Sequence, residues 1–176
     1  MAAATVFISE SNGAGEVVTD NISNLNFGSV DQPNLVAANH PIIVSEASYF
    51  KMLRFKVQSL GTSTTIKDLR WWKSAGVFLT QESIEAIDRQ AGGGNNNVAY
   101  VTPVQTNSNP PFTGFSINIR TADPGSACVG IAGSLAGTII AAPAYSEYFC
   151  AQLQTGGLTP IGQVNTKTVI FQFDET

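Results

Sequence analysis

Residues 50–60 alternate strictly, with Leu53, Phe55 and Val57 apolar and Arg54, Lys56 and Gln58 polar between them. A period of two puts the apolar set on one face of a strand and the basic set on the other. The same pattern recurs at 115–121 (Phe115, Ile117, Ile119), 145–155 (Phe149, Ala151, Leu153) and 167–174 (Val169, Phe171, Phe173). A chain built this way must bury one face of each strand against another sheet. Shorter strands are expected at 5–9, 16–19, 22–27 and 98–104.

Composition agrees, because 14 Val and 14 Ile stand against 9 Leu, with 10 Phe, and β-branched and aromatic side chains favour a pleated surface. The 16 Gly and 8 Pro fall between the apolar runs and punctuate them. At 176 residues the chain is the size of one domain, 1–176, with residues 1–10 as an N-terminal strand or arm. Eight to ten antiparallel strands without long helices define an all-β fold, an antiparallel two-sheet β-sandwich of jelly-roll type.

Three local features qualify this outline. The run 64–73 breaks alternation, since Ile66, Leu69 and Trp71 cannot share a face without a bulge near Lys67-Asp68. Residues 77–90 fit either two helical turns, with Ile84 and Ile87 on one side, or a strand. The uncharged segment 127–142, rich in Gly and Ala, is stopped by Pro143 and flanked by acidic rather than basic residues. It therefore reads as a buried strand, a bend and a second short strand rather than a membrane span.

Charge is sparse and segregated. Charged residues make up 12% of the chain, and Thr 16, Ser 15 and Asn 13 outnumber them two to one. That balance excludes disorder and phosphate-driven nucleic-acid binding. Six of the nine basic residues, Lys51, Arg54, Lys56, Lys67, Arg70 and Lys73, lie within 50–73, opposed there only by Asp68. Read as one hairpin, this segment offers a basic face to an acidic partner. Trp71 and Trp72 should point to opposite faces, which leaves Trp72 among the basic side chains as an interface anchor.

Catalytic raw material is thin. His40 has no nucleophile or orienting acid near it in sequence, and Glu82, Glu85 and Asp88 would share a face only in a helix. No zinc spacing, phosphate loop or dinucleotide fingerprint occurs, so no cofactor, no metal and no enzymatic activity are expected. Cys128 and Cys150 are expected as free thiols, because no secretory signal is visible at the start of the sequence.

Several stretches together resemble small phage-encoded virion structural proteins. They are Asn24-Leu25-Asn26-Phe27-Gly28-Ser29-Val30, Leu53-Arg54-Phe55-Lys56-Val57, residues 66–76, Ala122-Asp123-Pro124-Gly125-Ser126-Ala127, Tyr145-Ser146-Glu147-Tyr148, Gln152-Leu153-Gln154 and Phe171-Gln172-Phe173-Asp174-Glu175. The resemblance implies a capsid cement or decoration protein in the virion, assembled in the host cytoplasm. Its partner would be the major capsid protein or another virion protein, and its assembly a homotrimer or, second, a dimer, without nucleic acid or membrane. The alternative is a tail- or fibre-associated carbohydrate-binding module, with Tyr148 and an exposed indole as stacking platforms.

Overall fold

A computed structural model describes residues 2–105, 116–161 and 166–176. Within them the chain is nearly all β, with antiparallel sheets and two 3-10 turns. The strands are β1 (Thr5–Asn12), β2 (Val17–Thr19), β3 (Lys51–Ser59), β4 (Ile66–Ala75), β5 (Glu82–Ile87), β6 (Ile117–Asn118), β7 (Ala144–Tyr145), β8 (Phe149–Thr155) and β9 (Thr168–Glu175). Seven form one sheet in the order β2-β1-β3-β8-β5-β6, with β7 also paired to β3; β4 and β9 form the second.

The two sheets meet through an aromatic cluster. Phe55 on β3 and Phe149 on β8 come from the large sheet, and Trp71 and Phe171, cross-strand partners on β4 and β9, come from the small one. Centroid separations run from 4.9 Å for Trp71–Phe149 to 6.4 Å for Trp71–Phe171. Leu53, Val57, Ile84, Ala86, Ala151 and Leu153 complete the inner face of the large sheet, all buried. This is the packing expected of a two-layer β-sandwich, and alternation in β3 is as the sequence dictates.

The bulge in β4 falls where broken alternation required it: register shifts between Lys67 and Arg70, and Asp68 takes φ 57°. Of residues 77–90, Glu82–Ile87 form the strand β5, with Ile84 and Ala86 facing inward. In segment 127–142, Cys128, Val129, Ile131 and Ile139 are buried, and single bridges join Ile131 to Ser134 and Ile139 to Ile66. No helix among the described residues is long and apolar enough to cross a membrane.

Other expectations are corrected. The runs 50–60 and 64–73 do not pair as a hairpin: β3 lies between β1 and β8, whereas β4 crosses to the other sheet and pairs with β9. Residues 22–27 form no strand; Ile22, Leu25 and Phe27 instead pack side-on against the core. Residues 98–104 form none either, since Val98, Tyr100 and Val101 lie over Met52, Cys150 and Ile87 on the outer face of the large sheet. The expected strand 145–155 is split into β7 and β8. Of 115–121, only Ile117–Asn118 is strand, and Phe115 lies outside the described residues. The N-terminal residues are strand rather than arm, with Ala2 tied by its carbonyl to Thr62 N–H at 2.9 Å.

Candidate interaction surface

Strand β3 exposes only part of its polar face. Arg54 and Lys56 point away from the core, as alternation requires, but acidic residues of the same chain meet them. Glu16 and Asp20 flank β2, two strands away, and reach across β1 because β1 presents the small side chains Ser9 and Ser11 beneath them. Glu16 pairs with Arg54 at 3.3 Å and accepts a hydrogen bond from the Tyr148 hydroxyl. Asp20 pairs with Lys56 and accepts from Ser9 Oγ at 2.7 Å and from Tyr145 Oη at 3.1 Å.

The rings of Tyr145 and Tyr148 hold the Arg54 guanidinium between them, each centroid 4.3 Å from its Cζ, and Tyr100 packs against Tyr148. The result is a row, Tyr100–Tyr148–Arg54–Tyr145–Lys56, with its rotamers fixed by stacking and two carboxylates. Tyr145 is the most open member, 37% exposed. Burial, reinforced by the hydrogen bond to Glu16, pushes the Tyr148 phenol up to about 12. Burial raises Asp20 too, but hydrogen bonds from Lys56, Ser9 and Tyr145 outweigh it and hold the carboxyl below its ordinary range.

The remaining sequence-selected residues do not form one surface. Lys51 is 4% exposed and turned inward, bonded to Glu10 at 2.7 Å. Arg70 is bridged to Asp123 at 3.3 Å and Asp174 at 3.0 Å. Lys73 is buried beside the Phe78 ring. Trp72, 7% exposed, is not the expected outer indole, because residues 69–73 of β4 are buried on both faces of the strand. Of these residues Lys67 alone is exposed. In all, seven of the nine basic residues are ion-paired within the chain. The sequence segregates charge, but the fold reunites it.

The acidic triplet is likewise dispersed. Glu82 is buried against Lys167 at 2.7 Å, and Glu85 faces the opposite side of β5, where burial raises its carboxyl. Asp88 is fully buried and accepts from Trp71 Nε1 at 2.8 Å, Gln90 N–H at 3.1 Å and the Arg120 guanidinium. His40 ends the 3-10 turn Ala37–Asn39, half-buried. Among the described residues no group of three His, Cys, Asp or Glu side chains is placed to hold a metal. An apolar groove of about 580 Å³ opens between the sheets, roofed by Ile22, Leu25 and Phe27 and floored by Ile84 and Leu153.

Sequence reasoning missed Glu16, Asp20 and Tyr145 as members of this surface. The available signal was β1 itself, where two serines between strand residues leave room for side chains to cross. No family model, curated protein or solved structure matches the chain.

Proposed function

We propose that this chain is a non-catalytic structural protein of a phage virion, of the capsid cement or decoration kind, which docks through the Tyr145–Arg54–Lys56 face. The observation that carries the reading is the locked row itself. Tyrosine and arginine dominate the energetics of protein interfaces, and side chains already fixed by Glu16, Asp20 and mutual stacking lose little entropy when a partner covers them. The remaining charge is largely neutralised inside the molecule, which suits a rigid accessory bridging shell subunits. The partner is the major capsid protein or another virion protein, and a homotrimer, with a dimer second, matches the local symmetry of a shell.

A jelly-roll path belongs to the same proposal. It is supported by the pairing of early with late strands, β3 beside β8 and β4 beside β9, which a doubled-back chain produces. A carbohydrate-binding module would need a flat open aromatic row. Here Arg54 covers one face of Tyr145 and of Tyr148, and the Tyr100 and Tyr148 planes are tilted by 51°. That geometry favours a protein partner.

Cross-linking mass spectrometry on purified virions tests the assignment. The expected result is cross-links from Lys56 to a shell protein; absence of the chain from virions overturns it. Tyr145→Ala with Arg54→Ala, checked for folding by circular dichroism, should then lower occupancy on particles.

A further inference from the structure

At the far end of β1 the inner face changes character. Val6 and Ile8 pack on the core, but the next residues on the same face are Glu10 and Asn12, 0% and 8% exposed. Strand β3 supplies Lys51 beside them. Ser11 pairs with Met52, which sets the next residues along, Asn12 and Lys51, opposite each other across the antiparallel pair. Directly opposed side chains on one face have Cβ atoms about 5 Å apart. A single oxygen, Glu10 Oε1, accepts from Lys51 Nζ at 2.7 Å and from Asn12 Nδ2 at 2.9 Å. Asp31 fixes the carboxamide from the other side, accepting from Asn12 Nδ2 and, through Oδ2, from Gly13 N–H at 2.7 Å.

We propose that Lys51 and Asn12 join in an intramolecular isopeptide bond, with Glu10 as the acid–base group. A primary amine and a carboxamide, buried and held on one carboxylate, are the reactants of an amide exchange, and proximity of this kind replaces most of its entropic barrier. The Lys51 ammonium passes one proton to Glu10. Its freed lone pair attacks Asn12 Cγ, the Nζ–Cγ bond forms and the Cγ–Nδ2 bond breaks. Of the three ammonium protons, one stays on the new amide nitrogen, one reaches Nδ2 so that ammonia leaves, and one remains on Glu10.

Two further observations fit this chemistry. Glu10 Oε2 and Asn12 Oδ1 are both buried without a partner, although buried polar atoms are rarely left so. They belong to the two groups already joined by the Nδ2–H···Oε1 bond, so a proton on Oε2 closes an acid–amide pair and polarises the carbonyl that must be attacked. Burial also raises the Glu10 carboxyl against the opposing influence of Lys51, which favours the protonated form that general-acid catalysis needs.

Intact-mass spectrometry of the folded protein, followed by tryptic mapping after reduction, tests the proposal. The expected result is a loss of about 17 Da, one ammonia, and, because no Lys or Arg precedes Lys51, a single internally looped peptide 1–54 left uncleaved at Lys51. An unchanged mass after prolonged incubation overturns it. So does the same loss with Lys51 still cleaved by trypsin, which marks a succinimide at Asn12-Gly13 instead. Glu10→Gln and Lys51→Arg, each verified as folded by circular dichroism, should keep the full mass; a cross-link persisting in Glu10→Gln removes Glu10 from the mechanism.

Discussion

Trp71 and Phe171 face each other across the β4–β9 pair with ring planes only 2° apart and centroids 6.4 Å apart. Neither touches the large sheet by backbone, yet together they form the plate on which Phe55 and Phe149 rest. The sandwich is therefore held by side-chain packing between sheets, and its stability should respond sharply to the loss of any one ring.

Replacing Phe149, fully buried, by Ala is expected to destabilise the protein by about 3–5 kcal/mol, through lost transfer energy and the cavity left among Phe55, Trp71 and Phe171. Phe171→Ala should cost less, because that ring is only partly buried. Urea denaturation of both variants checks the order; equal costs would contradict it.

Asp88→Ala should cost about 3–5 kcal/mol, since it strands the Arg120 guanidinium and the Trp71 indole N–H in a buried site. Asp88→Asn should recover part of that loss by retaining an acceptor. Denaturant midpoints separate the two.

Both cysteines are buried and free, with desolvation pushing the Cys128 thiol up to about 12 and raising Cys150 as well. A thiol-specific chromogenic reagent at pH 8 should leave the native protein unmodified and titrate both cysteines after unfolding, because the thiolate is the reactive form. Reducing agent should leave the melting temperature unchanged.

The Asp20–Lys56 pair makes stability depend on acid in a defined direction. The folded carboxyl sits below its unfolded value of 3.8, so its contribution is present above that pH and is lost as pH falls through the lower folded value. Asp20→Asn should be less stable than wild type at pH 7, and the gap should close in strong acid. The difference should be small, and salt should shrink it, because the pair is partly exposed.

Local structure was legible where side-chain period decides it. Leu53, Phe55 and Val57 had to face inward, and Ile66, Leu69 and Trp71 had to be reconciled by the bulge at Asp68. Pairing was not legible. Consecutive strands pair in most proteins, and the short turn after Leu60 invited a hairpin; instead β3 finds β1 and β8, and β4 finds β9. The docking residues suffered from the same cause. Lys51, Arg54, Lys56 and Arg70 read as unopposed only because Glu10, Glu16, Asp20, Asp123 and Asp174, which neutralise them, lie far away in sequence. Trp72 was misplaced because a period of two says which face a residue takes, not whether that face is wet.

The position of β8 in the middle of the large sheet governs how the molecule must come into being. While the chain emerges during synthesis, β3 and β5 are complete long before residues 149–155 exist, and neither can close on the other without the strand that separates them. The small sheet waits longer still, for β9. Pairings of such sequence separation pay their loop-closure entropy before any reward, so folding is slow and nascent chains carry open strand edges. Yield of soluble protein should accordingly be governed by the rate of synthesis and by holding chaperones more than by the stability of the finished fold.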